Sequence, residues 1–471
     1  MTLHPPSADF LDALRERLGP QGVREAGDSA PYLSEPRDLW QGEAALILRP
    51  GSAEEVAALL KTCAEARVAV IPHAGGTGLV GGQVRPEGPT GVLLSVERLN
   101  RVRQVAPEDD AMIVEAGVIL AEAQRQAEAV DRLFPLSIAA EGSARIGGVL
   151  GTNAGGVQVL RYGMARDLVL GVEAALPDGS IHRGLKLLRK DNTGYDLRHL
   201  LIGSEGTLGV ITAAALRLFP RPRETATAFV AVAGPSAALD LLHGLRAALG
   251  ETISAFELIK DAGVGFALAH VPGVRAPFTP MPGWSVLVEA GGPEGMGERL
   301  EAGLAEAFDR GEAQDAVIAA SEAQRQEMWR LRESLPEANR KVGSIASHDV
   351  SAPMSRVAAF IDEAETTLAR IAPELRTNCF GHLGDGNLHY NVFPPEGRRR
   401  EEFANVKGEI TRVVHDLIDA HGGSISAEHG IGRLKREDFA RYGDPAKIAA
   451  MRAIKAALDP AGIMNPGAVL P

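Results

Sequence analysis

The residues best suited to chemistry are two histidines in the run Gly381-His382-Leu383-Gly384-Asp385-Gly386-Asn387-Leu388-His389, answered further on by Ser426-Ala427-Glu428-His429-Gly430. The Asp385-Gly386 step is a strong two-residue hairpin signal, because Gly takes positive φ without steric cost. With those residues as the turn, 384 pairs with 387, 383 with 388 and 382 with 389. The two imidazoles then face each other across the ladder at about 5 Å between Cβ atoms, which is ligand distance. Glu428 offers a third ligand. His-His-Glu with an open fourth position is the set of a catalytic rather than a structural zinc site, and His429 is left beside it as a base. The alternative is two ordinary polar side chains in a hairpin. The rest of the chain has to decide between them.

At 471 residues the chain suits two or three domains, and 45% hydrophobic content is enough to bury their cores. A net charge of −12 argues against a nucleic-acid surface. Cys63 and Cys379 are the only cysteines, so no disulfide framework is expected and a reducing, cytoplasmic compartment is the default. Phe10, Leu11, Leu14 and Leu18 recur at helical spacing and read as a small amphipathic helix. No stretch reaches the roughly 18 apolar residues of a spanning helix, although contact with a membrane periphery stays open.

The elements that must position the histidines begin upstream. A strand at 45–49, a helix opened by Ser52 and running through Ala64, and a strand at 68–72 form a βαβ unit. Apolar runs at 91–96, 112–116 and 168–177 continue an α+β pattern. The Pro- and Arg-rich segment 219–224 places a domain boundary near 222, dividing the chain into 1–222 and 223–471. Beyond it come strand 226–233, helix 235–249, strand 252–258, strand 284–290, helix 294–308 and strand 315–320. These two β-α-β blocks predict a ferredoxin-like antiparallel sheet with helices on one face. Helices at 321–339, 355–371, 401–420 and 445–457 follow.

Gly76-Thr77-Gly78-Leu79-Val80-Gly81 matches the dinucleotide-binding pattern and has Glu97 about 20 residues on. The match is a decoy: Pro86 and Pro89 forbid the helix that must follow such a loop. What remains is a loop dense in backbone N–H groups that can still cradle a diphosphate, or else is a surface turn. A second glycine-rich run spans Glu141 to Gly156, with Thr152 and Asn153 as polar contacts, and a third spans Arg189 to Leu197 and Ile202 to Ile211. One such run is plausibly mere packing. Several suggest backbone brought close to a flat or phosphorylated ligand.

With Arg161-Tyr162-Gly163, Gly203 to Gly209 and Asp459 to Pro466 added, these segments resemble, in order and over nearly the whole chain, the FAD-linked D-2-hydroxyacid dehydrogenases of the vanillyl-alcohol oxidase superfamily. The resemblance is nearest to the D-2-hydroxyglutarate, FAD-linked D-lactate and glycolate oxidase flavoprotein types. It implies an α+β architecture: an FAD-binding domain in 1–222 and a C-terminal cap domain in 223–471, with 459–468 returning to the flavin. FAD would lie against Pro72, His73, Ala74, Gly75, Gly76, Thr77 and Gly78 at its diphosphate. Gly142, Ser143, Gly147, Gly148, Thr152, Asn153 and Gly155 would follow the flavin, as would Glu205, Gly209, Ile211 and Asn465. Non-covalent flavin is expected, with His73 as the one place for a covalent link.

By the same resemblance His382, His389 and Glu428 are the metal ligands, usually for zinc, and His429 is the catalytic base. Arg332 would meet the substrate carboxylate through its planar fork, with Asn387 orienting substrate or a ligand. An alcohol is far too weak an acid for an unaided imidazole of pKa about 6.5, and a metal that stabilises the developing alkoxide removes that obstacle. Hydride then passes to flavin N5, and electrons go on to a quinone, a cytochrome or an electron-transfer flavoprotein. Homodimers are common in such folds. One departure stands out: many relatives carry Lys where Ser347 precedes His348-Asp349-Val350-Ser351, which tilts the expectation from a dicarboxylate toward a lactate-like substrate. A glycolate-oxidising subunit of a complex and a non-catalytic electron-relay flavoprotein are the alternatives. A zinc hydrolase would use the same histidines but leave the glycine-rich half without a role.

Overall fold

The computed structural model describes residues 2–25, 27 and 29–471. The chain forms two units. One holds the chain up to Gly155, Gly163–Arg221 and Glu428–Pro471; the other holds Gly156–Tyr162 and Pro222–Ala427. The sequence reading returned only 459–468 to the first unit, whereas the return begins at Glu428.

In the first unit the strands Leu46–Leu48, Val92–Ser95 and Val70–His73 lie parallel in that order, with helix Ala53–Ala66 as the crossover. The first two are buried at every position and the third at all but Pro72, as strands covered on both faces require. Ser52 caps the helix, its side chain accepting from the Glu55 amide at 3.1 Å. Val23–Glu25 adds an antiparallel edge. The far end of the chain closes the opposite edge: Val70 N donates to Ile463 O at 2.8 Å and Asn465 N to Val70 O at 2.9 Å, with Ile463 and Met464 fully buried. A second, antiparallel sheet orders Val102–Ala106, Ala111–Glu115, Val210–Arg217, Val169–Ala175 and Ile181–Arg183.

The second unit is built on seven antiparallel strands in the order Asp315–Ile318, Glu224–Val232, Trp284–Gly292, Ile253–Lys260, Arg376–His382, Asn387–Phe393 and Ala346–Ser351. The first four, with helices Pro235–Leu249 and Met296–Asp309, are the two expected β-α-β blocks. The expectation of helices on one face is corrected. Residues 226–232 and 253–259 are buried at every position, so both faces are covered. Helices Glu322–Val342 and Asp261–His270 supply the second layer, packing Met328, Trp329, Leu335 and Val264 against Phe229, Ile259 and Leu287. The segment carrying Arg161 belongs here as well. Its guanidinium Nη1 donates to Gly291 O at 2.6 Å and Thr252 O at 3.3 Å, which gives that motif a structural role.

Candidate functional site

In the first unit the loop after Val70–His73 forms one wall of a cleft of about 1460 Å³, counting its open mouth. Of the residues expected at a cofactor, Pro72 through Gly78, Gly147, Gly148, Thr152, Gly155, Glu205, Gly209 and Ile211 line it. Gly142, Ser143, Asn153 and Asn465 are not among the lining residues. Sequence reasoning missed Ile138–Ala140, Gln83 and Leu201, which also line it, while Arg145, inside the glycine-rich run Glu141 to Gly156, lines it too.

The glycines serve two purposes. A Cβ on Gly75 would sit 2.5 Å from Ser143 O, so that glycine lets one loop pack on another. A Cβ on Gly151 would meet nothing within 4 Å, so that one leaves room in the cleft. Gln83 Nε2 donates to the carbonyls of Gly78 at 2.7 Å and Gly76 at 3.3 Å, pinning those oxygens. The amides of Gly75, Gly76, Thr77 and Gly78 donate to no acceptor among the described residues. Such a run of unsatisfied donors fits an anionic diphosphate. His73 is 7% exposed and neither of its ring nitrogens has a partner. Burial, opposed by the charge of Glu97, brings its pKa down to about 4, so it is neutral at pH 7.

Glu428 and His429 line the same cleft, with His429 Nε2 3.7 Å from Glu428 Oε1. The segment just beyond them is clamped. Glu205, at φ +50°, accepts from the amides of Ile431 and Gly432, each at 2.8 Å. Burial raises its pKa, against those two amides and the charge of Lys435. Asn465 Nδ2 donates to Gly82 O and Glu205 O at 2.9 Å while its Oδ1 accepts from Arg433 at 3.0 Å. Both residues therefore spend these polar atoms on protein, fastening the His429 segment to the glycine loop. Asn153 Oδ1 likewise accepts from Arg166 N. Of the third glycine-rich run, Arg189 to Leu197 lies apart from the cleft, with Tyr195 97% exposed, whereas Ser204, Glu205, Gly206 and Gly209 to Ile211 line it.

In the second unit the hairpin exists with a different register. Phe380 pairs with His389, rather than His382 with His389, and residues 383–385 form a short 3₁₀ turn. A shift of two residues preserves the face, so His382 and His389 still meet, with ring centroids 5.6 Å apart at 81°. Gly381 permits the crowding: a Cβ there would lie 2.3 Å from Asn387 O. Across the ladder His389 opposes Asp349, and the two offer ligand atoms within 4.8 Å of one another. Asp349 went unnoticed in the sequence because its partner is set only by the register. Asn387 Nδ2 donates to Asp349 Oδ1 and Val350 O, both at 3.0 Å, and so orients that carboxylate. Burial, opposed by His382, pushes the Asp385 carboxyl up to about 6.

Behind His382 stands Glu257, fully buried. Its Oε1 is 2.7 Å from His382 Nδ1, and its Oε2 is 2.8 Å from Arg332 Nε and 2.7 Å from Nη2. Burial alone would raise the Glu257 pKa, but His382 and Arg332 outweigh it and bring it down to about 2. Arg332, itself 5% exposed, also stacks 4.8 Å from the Phe380 ring centroid. Two nitrogens of the fork expected at a substrate carboxylate are thus engaged by protein. Imidazoles with a nearby carboxylate, one ring already oriented by a carboxylate, suit a divalent metal.

Residues 221–469 match the family description "FAD linked oxidases, C-terminal domain", and residues 44–184 match "FAD binding domain". The chain is 36% identical to D-2-hydroxyglutarate dehydrogenase of Xanthomonas citri pv. viticola, over 94% of this chain and 95% of that one. It is also 36% identical to the mitochondrial D-2-hydroxyglutarate dehydrogenase of Arabidopsis thaliana, over 92% and 76%. Among solved structures, p-cresol methylhydroxylase with substrate bound superposes with a TM-score of 0.74 at 17% identity, covering 99% of this chain and 98% of that one. Alkyldihydroxyacetonephosphate synthase gives 0.73 at 18%, covering 99% and 86%. These likenesses show the fold, which is that of the vanillyl-alcohol oxidase type.

Proposed function

We propose, from the premise that this chain belongs to the FAD-linked oxidases and carries out FAD-dependent oxidation of a D-2-hydroxy acid, that the reaction is metal-assisted and yields the 2-oxo acid. The observation that carries this reading is the first unit's cleft, where a loop of unsatisfied amides, an uncharged His73 and the side chain of His429 line one space. Bound there, FAD would supply the hydride acceptor. The amides of Gly75 to Gly78 hold its diphosphate. His429 removes the proton of the C2 hydroxyl as the C2 hydride leaves. His382, His389 and Glu428 would hold a divalent cation, zinc first, and that cation would stabilise the developing alkoxide as it brings bound water from about 15.7 to about 7. Arg332 meets the substrate carboxylate through the part of its fork that Glu257 leaves, and Asn387 acts by orienting Asp349. Electrons then pass to an external acceptor: a quinone, a cytochrome or an electron-transfer flavoprotein.

The names of the relatives make D-2-hydroxyglutarate the first substrate to test. A second reading, a shorter acid such as D-lactate, is favoured by Ser347, an exposed hydroxyl 2.8 Å from that of Ser344 where a cation would hold a distal carboxylate. No helix among the described residues is long and apolar enough to cross a membrane. The test is anaerobic bleaching of the visible flavin band by D-2-hydroxyglutarate, D-lactate, glycolate and D-malate, with and without a chelator. Bleaching by one acid that the chelator abolishes is expected. A purified protein without a flavin band, or bleaching indifferent to chelation, would overturn the corresponding half of the proposal.

A further inference from the structure

Glu257 belongs to none of the motifs that mark the site. It sits on the strand Ile253–Lys260, opposite His382 in the register of the neighbouring strand, and is 0% exposed. Its two oxygens divide their work: Oε1 takes His382 Nδ1 at 2.7 Å, Oε2 takes Arg332 Nε and Nη2 at 2.8 and 2.7 Å. A carboxylate can only accept, so Nδ1 of His382 must carry the proton, which leaves the lone pair of the neutral ring on Nε2. Metal-binding histidines are oriented by such carboxylates behind the ring, which set the tautomer, fix the ring plane and raise the basicity of the ligating nitrogen.

The shared carboxylate does more than orient one ring. Arg332 arrives from helix Glu322–Val342 and His382 from the end of a strand, so a single side chain ties the helix layer to the sheet at the place where both groups are needed. Phe380 closes the assembly, its ring under the Arg332 guanidinium at 4.8 Å and 5.1 Å from that of His389.

We propose that Glu257 is a positioning residue that holds His382 with Nε2 presented to a metal and fixes Arg332 at the same time, so that one carboxylate aligns a ligand and the carboxylate-binding guanidinium. This rests on the metal reading given above. Removing only the negative charge leaves Arg332 buried without its counter-ion, which endangers folding, so the decisive variant removes both charges together. Zinc affinity is measured by chelator competition on the FAD-loaded wild type, Glu257→Gln/Arg332→Met, Arg332→Met and His382→Ala, with flavin content and far-ultraviolet circular dichroism as checks on the fold. The double variant is expected to bind zinc 10- to 100-fold more weakly, Arg332→Met within about threefold of wild type, and His382→Ala weakest of all. Zinc bound by the double variant as tightly as by wild type, while His382→Ala loses it, overturns the role of Glu257 and leaves the metal reading standing. Equal zinc binding by wild type and His382→Ala overturns the metal reading at His382, and the role of Glu257 with it.

Discussion

His73 gives the first unit a calculable acid sensitivity. Its imidazole is held neutral by burial, with a folded pKa of about 4 against 6.5 in the unfolded chain. Below pH 6.5 the unfolded chain gains a proton there and the folded one does not, so stability is full above 6.5 and falls as pH drops toward 4. Below 4 both states carry the proton and the loss levels off. The difference between 6.5 and about 4, at about 1.4 kcal/mol per pH unit, gives a full loss of about 3.5 kcal/mol, of which about 3 kcal/mol is reached by pH 4. In His73→Gln that component is absent, while every other titrating group is unchanged. Urea unfolding of the two apo proteins, followed by fluorescence and repeated from pH 7.5 to 4, reads the difference. The expected result is a wild-type curve that approaches or crosses below that of the variant by about 3 kcal/mol over this range. Parallel curves would refute the argument, since they would mean that the ring takes up its proton at the same pH in the folded and unfolded chain.

Two further outcomes are expected at the site. His429→Asn should retain flavin and zinc yet slow anaerobic flavin reduction by about 10²- to 10⁴-fold, the usual worth of a general base; unchanged stopped-flow rates would remove His429 from that role. Gly75→Ala and Gly151→Ala separate the two uses of glycine. The first forces a Cβ to within 2.5 Å of Ser143 O and should lower the melting temperature of the apo protein, whereas the second meets nothing within 4 Å and should leave it unchanged while weakening FAD binding.

The elements that the sequence made legible are those whose pattern is local. The β-α-β blocks of the second unit appear within a few residues of their expected ends, and Ser52 caps the helix it was expected to cap. What failed depended on partners. Helix Asp261–His270 has Gly263 and Gly265 inside it, and its exposed side carries Gly265, Leu268 and Ala269, so no polar stripe marks it. The hairpin register slipped by two because a 3₁₀ turn at 383–385 replaced the tight turn that Asp385-Gly386 suggested. Arg332 is expected from the sequence at a substrate carboxylate, but its buried pairing with Glu257, 75 residues earlier in the chain, is not foreseen, because Glu257 carries no motif of its own. Asp349 likewise is a ligand candidate only through its cross-strand neighbour. Glycines at 75 and 151 look alike in the sequence, and only their surroundings tell packing from space.

The edge strand Val70–His73 is completed by Ile463 and Asn465, roughly 390 residues later in the chain. A ribosome adding about 5–20 residues per second reaches that partner about 20–80 s after making the strand. Until then the sheet that carries the glycine loop has an open edge with apolar Val70 and Ile71 on it, an invitation to pair with other chains. The second unit, by contrast, has all of its strands by Phe393. During synthesis it is therefore the later-encoded insertion that can finish first, and the flavin cleft that must wait, which makes this edge the place where a chaperone holding the nascent chain would matter most.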